Sequence, residues 1–160
     1  MVKITKVKGA AMPLVYELIQ DMRNPDMVEL LMGPTAPDRA VYASIANSRY
    51  CLQVRDKEHN LLAIYGLAAG QISIHGTEAT PIWFLGTKKA YRHNRALVHY
   101  GKEYCERWVT EAGPLCNYIW IGNEPALRYI RHLGALLLDP EPLGKNKELF
   151  IPFILSDVVR

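Results

Sequence analysis

Charged and apolar residues alternate from Val2 to Val7, the period of a strand with one covered face. After Gly9 the period changes. Leu14, Leu18, Ile19 and Met22 recur at helical spacing until Asn24-Pro25-Asp26 interrupts them. A second short helical run, Met27 to Met32, ends at Gly33-Pro34, and Pro37-Asp38 starts a third with Val41, Ala43, Ile45 and Ala46 on its inner face. Residues 50–55 and 61–67 read as an antiparallel hairpin around the polar turn Asp56 to Asn60, and the second strand, apolar on both faces, belongs in the middle of a sheet.

Gly70 to Thr80 reads as a polar connection, followed by a short covered strand, Pro81 to Leu85, ending at Gly86-Thr87. The segment up to Gly113-Pro114 is helical, with Leu97, Gly101, Tyr104, Cys105 and Trp108 on one side at about 100° per residue. Asn117 to Ile121 is another apolar strand, so strand, long helix and strand predict a parallel unit with a right-handed crossover. Asn123 is placed to cap a short helix, Ala126 to Leu133, that Gly134 closes. Two last strands, around 135–138 and 148–155, flank a Pro/Gly turn. The pattern predicts one α/β domain over residues 1–160, with a mixed sheet of six to seven strands flanked by helices.

Composition narrows the class. Of 160 residues 49% are hydrophobic and 22% charged, proportions that exclude a disordered or fibrous chain. Cys51, Cys105 and Cys116 are an odd number and widely spaced, which argues against a disulfide scaffold or a metal site. No apolar run approaches the roughly 20 residues that span a bilayer, and the first residues lack a signal-peptide block, so a cytoplasmic location in a reducing compartment is expected. Nineteen basic residues against 16 acids give a formal charge of +3, too small to imply nucleic-acid binding by its total. Placement matters more: Lys88, Lys89, Arg92, Arg95 and Lys102, with His93 and His99, lie between Thr87 and Lys102 with no acid among them. A helix over this stretch would line up Lys88, Arg92, Arg95, His99 and Lys102 opposite the core side, as a solvated face, an anion site or a docking surface.

The order of elements, and above all the run from Tyr118 through Gly122, Asn123, Ala126 and Tyr129 to Leu133-Gly134-Ala135, resembles the GNAT superfamily of acyl-CoA-dependent N-acyltransferases. The same run is similar to small GNAT-like internal virion proteins of T7-type short-tailed bacteriophages. The resemblance implies acetyl-CoA or another acyl-CoA as cofactor, no metal, and an amine acceptor. It also implies a location in a host cytoplasm or in the virion if the chain is phage-encoded. It places the acyl-CoA arm along two splayed strands ending near Leu85-Gly86 and Ile121-Gly122. The cofactor phosphates would then lie at Lys88, Arg92, His93, Asn94 and Arg95, with Asn123 beside the arm. The glycines of the family's phosphate loop are absent from this stretch. The family's proton-donating tyrosine falls four residues before the closing glycine, where this chain has Ile130. Tyr129, one residue earlier and about 100° around the helix, is the acid candidate that remains. For a base the region 61–85 offers only His75 and Glu78. The alternative is a non-catalytic virion-assembly or host-interaction protein that keeps the scaffold and binds an unknown protein partner through the basic helix.

Overall fold

Proline in the first turn starts each of the first three helices, where its missing N–H has no intrahelical partner to lose. In the computed structural model, which describes residues 1–159, these are α1 (Met12–Gln20), α2 (Asn24–Leu31) and α3 (Pro37–Ala46), following strand β1 (Val2–Lys6). Asn24-Pro25-Asp26, expected as a break before the second helix, is its first turn.

Strands β2 (Ser48–Asp56) and β3 (Leu61–Ala68) form the expected hairpin, and every residue of β3 up to Leu67 is buried. The stretch 70–80, expected as a polar connection, is instead ordered as strand β4 (Ile72–Ile74) turning into β5 (Thr77–Gly86). The turn is His75-Gly76, both at positive φ (48° and 80°), the geometry of a two-residue hairpin loop for which His-Gly is an unfamiliar signal. The central strand is therefore ten residues long.

A 3-10 helix, Lys88–His93, leads into α4 (Asn94–Ala112), followed by β6 (Leu115–Trp120), α5 (Glu124–Leu133), β7 (Leu136–Leu137), β8 (Glu141–Pro142) and β9 (Leu149–Leu155). The strands form one mixed sheet ordered β1-β2-β3-β5-β6-β9-β7, with β4 added to β5 and β8 to β9. Seven strands lie on the main path, and the two short additions bring the total to nine. Helices cover both faces. Leu97, Cys105 and Trp108 of α4 and Leu127, Ile130 and Leu133 of α5 cover one face, over Leu62, Tyr65, Leu67 and Ile82. Val15, Leu18, Val41 and Ile45 of α1 and α3 cover the other, over Cys51, Leu61, Ile64 and Leu85.

The three cysteines are buried and free. Burial pushes the thiols of Cys51 and Cys105 up to about 12, so neither is a thiolate at neutral pH. Trp108 is buried, while Trp83, Trp120 and Tyr118 are partly exposed. Trp83 lies across its cross-strand partner Gly66 and donates its indole N–H to Ser48 Oγ at 3.0 Å. A Cβ on Gly66 would fall 2.0 Å from that indole nitrogen. Gly66→Ala should therefore lower stability by about 1–3 kcal/mol, read from denaturant unfolding, while Gly70→Ala, which meets nothing, should be close to neutral.

Candidate active site in the gap between two strands

Among the described residues one strand pair is parallel, and its pairing is short. β5 and β6 pair at Thr80 opposite Leu115 and at Pro81 opposite Cys116, and then diverge. Their registers with the outer neighbours show which backbone groups face the gap. Thr87 N–H donates to Leu62 O at 2.9 Å, so the hydrogen-bonded pairs with β3 are those of Thr87, Leu85 and Trp83. The amides and carbonyls of Ile82, Phe84 and Gly86 consequently turn toward β6. By the same argument, Ile121 N–H donating to Leu149 O at 3.0 Å turns Tyr118 and Trp120 toward β5.

Those groups need partners, and side chains supply most of them. Asn117 bridges the gap: its Nδ2 donates to Ile82 O at 2.6 Å while its Oδ1 accepts from Tyr118 N–H at 2.8 Å. Trp120 N–H donates to Glu29 Oε1 at 2.7 Å. Gly86 N–H donates to Asp26 Oδ2 at 2.9 Å, and Gly86 O accepts from Arg23 N–H at 2.9 Å. Among the described residues no side chain caps Phe84, whose backbone is left facing the gap.

Asp26 is the hub of this end. Its Oδ2 also accepts from Arg23 Nε and Nη2, at 3.0 and 2.9 Å, and its Oδ1 accepts from Asn123 Nδ2 at 3.0 Å. Asn123 in turn caps α5, as expected, by accepting from Ala126 N–H at 3.3 Å, and Gly134 closes that helix at φ 99°. Asp26 and Arg23 are 1% and 5% exposed, so solvent and salt screen the pair little. One carboxylate thus ties α2, the end of β5 and the start of α5 together.

Tyr129 reaches the same place from α5. Its ring stacks on Phe84 with centroids 4.9 Å apart, and its hydroxyl donates to Leu97 O at 3.1 Å. That hydroxyl lies 3.2 Å from the Tyr65 hydroxyl, whose own proton goes to the same carbonyl at 3.0 Å. Burial raises both phenols above the ordinary tyrosine range and keeps them protonated. Gly101 makes room for this arrangement, since a Cβ there would sit 1.8 Å from the Tyr129 oxygen. Ile130, the residue in register with the family's acid, packs into the core.

Two cavities meet at Phe84 and Tyr129. The inner one, about 240 Å³, occupies the gap and crosses the sheet, from Glu29 and Ser44 on one face to Cys105 and Trp108 on the other. The outer one, about 500 Å³, lies at the start of α4 and is lined by Arg23, Tyr91, Asn94, Arg95, Arg128 and His132. Four of these carry or can carry positive charge, and no acid lines it. Glu29 is the titratable group set apart. Its carboxyl is raised from 4.5 to about 7, chiefly by burial and further by the charge of Asp26, against the Trp120 N–H, Asn123 and Arg23.

The expected site residues divide accordingly. Leu85, Asn123 and Tyr129 line the inner cavity, and Asn94 and Arg95 the outer one. Gly86 is beside the gap, but its backbone is already taken by Asp26 and Arg23. Lys88, Arg92 and His93 line neither cavity. They sit in the 3-10 helix, whose three-residue turn breaks the single stripe expected from Lys88 to Lys102. Arg128 and His132 of α5 join Arg95 in the outer cavity. His75 is bound to Glu141 at 2.5 Å and, like Glu78, lines neither cavity. Arg23, Asp26 and Glu29 carried no sequence signal beyond the turn-like Asn24-Pro25-Asp26, because only the fold brings α2 to the end of β5. Among the described residues no group of three His, Cys, Asp or Glu could hold a metal ion, and no helix is long and apolar enough to cross a membrane.

No family model matches the sequence, and no curated protein matches it either. Solved structures do. The ribosomal-protein-S18-alanine N-acetyltransferase of Escherichia coli superposes with a TM-score of 0.66 over 100% of this chain and 96% of its own, at 13% identity. The spermidine N-acetyltransferase of Vibrio cholerae, solved with CoA and spermine, gives 0.68 over 98% and 95% at 11% identity. An N-acetyltransferase of Staphylococcus aureus gives 0.63 over 100% and 99% at 15% identity. The fold is that of the GNAT N-acetyltransferases, a mixed sheet with helices on both faces. The likeness at these identities is one of architecture.

Two stability measurements check the site's electrostatics. Asp26→Ala strands a buried guanidinium and two further donors, and should cost about 3–5 kcal/mol in denaturant unfolding. Glu29 has a higher pKa folded than unfolded, so the native state holds the extra proton and its contribution falls as pH rises from about 4.5 through about 7. Glu29→Gln should thus be about 2 kcal/mol more stable than wild type at pH 8 and near-equal at pH 4, in melts at both pH values.

Proposed function

We propose that the chain is an acyl-CoA-binding N-acyltransferase homologue that passes an acyl group to an amine in the gap between β5 and β6. The observation that carries this reading is that a half-buried carboxyl, Glu29, and a half-buried phenol, Tyr129, line one cavity that adjoins a cationic recess at the start of α4. The residues fit the cofactor's chemistry. Arg95, Arg128, His132 and Arg23, with the N-terminal amides of α4, suit the phosphates. The Phe84 edge suits an amide arm that adds itself to a strand.

Acyl-CoA, when bound, supplies the activated thioester. Glu29, with a pKa near neutral, accepts the proton that the attacking amine gives up as the carbon–nitrogen bond forms. Tyr129, kept protonated by burial, would turn its O–H from Leu97 O to give a proton to the leaving thiolate, and Asn117 and Trp120 keep the gap's walls in place. The amine as acceptor class is supported by the neighbours, whose names state alanine and spermidine acetylation. On this reading residues 1–160 act as one GNAT-like domain in the cytoplasm. The resemblance of the Tyr118 to Ala135 run further favours a phage protein that works in the host cytoplasm or travels with the virion.

One observation favours a second reading, a degenerate and non-catalytic scaffold for virion assembly or host interaction. Gly86, where an amide arm would also pair, is already bonded to Asp26 and Arg23, and the phosphate loop has become a 3-10 helix without glycine. Calorimetric titration separates the two. Acetyl-CoA should bind in the micromolar range, and Arg95→Glu with Arg128→Glu should weaken it at least tenfold; no binding at millimolar ligand sinks the first reading. Transfer to a polyamine should rise with an apparent pKa near 7, and Glu29→Gln should lower the rate by about a hundredfold or more while leaving acetyl-CoA affinity unchanged.

A further inference from the structure

The inner cavity is larger and more apolar than an acetyl group requires. Its volume is about 240 Å³, whereas an apolar cavity of about 150 Å³ already holds the six carbons of benzene. Its two ends differ in chemistry. The end on the α2 and α3 face carries Glu29 and Ser44. The end on the α4 and α5 face is walled by Gly101, Cys105, Trp108, Ile130 and Leu133, all buried. That apolar end lies on the same side of the sheet as the outer cationic cavity, and Phe84 and Tyr129 belong to the walls of both. A chain entering from the cationic recess past Phe84 therefore meets the apolar end, while an amine approaching Glu29 comes from the opposite face.

Among the described residues no charged side chain lines the α4 and α5 end, and the hydroxyls of Tyr65 and Tyr129 beside it already donate to Leu97 O, so the end offers an entering group no counter-charge. A charged acyl group, such as one ending in a second carboxylate, would leave that charge buried and unpaired. Helix packing explains why the space exists. Gly101 and Cys105 are small residues one turn apart on the core face of α4, and Trp108 one turn further forms the floor. Gly101 is needed for the Tyr129 hydroxyl, which leaves Cys105 as the residue that sets the depth.

We infer that this pouch selects a straight-chain aliphatic acyl group of about four to six carbons over acetyl, with Cys105 as the specificity-determining position. The inference rests on the acyl-CoA reading above and adds the identity of the acyl group. Each methylene buried in such a pouch is worth about fourfold in affinity.

The test is a calorimetric series with free CoA, acetyl-CoA, hexanoyl-CoA and succinyl-CoA on the whole chain. Hexanoyl-CoA should bind at least tenfold more tightly than acetyl-CoA, and succinyl-CoA no better than acetyl-CoA. Cys105→Phe should abolish the hexanoyl preference, bringing the hexanoyl-CoA to acetyl-CoA affinity ratio down to about one; the wild-type series decides by itself if that variant does not fold. Equal affinity for acetyl- and hexanoyl-CoA, or a preference for succinyl-CoA, overturns the pouch and leaves the acyl-CoA reading standing. Failure of all four ligands to bind overturns both.

Discussion

Two parallel strands that separate after a single pair of contacts leave a row of backbone amides and carbonyls with no strand to meet, and burial makes each of them costly to leave unpaired. Most of what is distinctive here answers that constraint. Asn117 spans the gap, Glu29 and Asp26 cap the amides of Trp120 and Gly86, and Arg23 caps the Gly86 carbonyl before folding its guanidinium against Asp26. Both carboxylates cap backbone donors at the gap, Asp26 fully buried and Glu29 half-buried.

The same constraint separates the two carboxylates chemically. Asp26 has four donors, including a buried guanidinium, whereas Glu29 has the Trp120 amide and the neighbouring negative charge of Asp26. Burial therefore raises Glu29 to about 7 and leaves it able to exchange a proton near neutral pH. One acid holds α2, β5 and α5 together, and the other faces the cavity ready for chemistry. Tyr129 is placed by a similar economy of space, since a glycine at 101 lets its oxygen reach a main-chain carbonyl of α4.

Much of the fold was legible in the chain. Period-2 and period-3.6 patterns located the hairpin, the long helix and its core face, and Asn123 and Gly134 marked the ends of α5. These are local signals, because capping geometry and amphipathic spacing depend on residues a few positions apart. The hairpin at His75-Gly76 was missed because a positive φ at a non-glycine residue has only a weak sequence signature. The basic segment was visible as charge, but its division between a 3-10 turn facing solvent and an α-helix facing the cavity was not.

By itself the sequence determined the order of the main helices and strands apart from the short β4 and β8, the two-sided burial of the sheet, the caps of α5 and the resemblance to an acyltransferase scaffold, all of them consequences of local periodicity and short motifs. Only the tertiary structure decided the site. Glu29 lies 91 residues from the Trp120 amide it caps, Asp26 lies 97 from Asn123 and 60 from Gly86, and Tyr129 lies 32 from the carbonyl that receives its proton. Contacts of that span leave no periodic trace, since they are set by how far two strands diverge and by which side chains are left to fill the space between them.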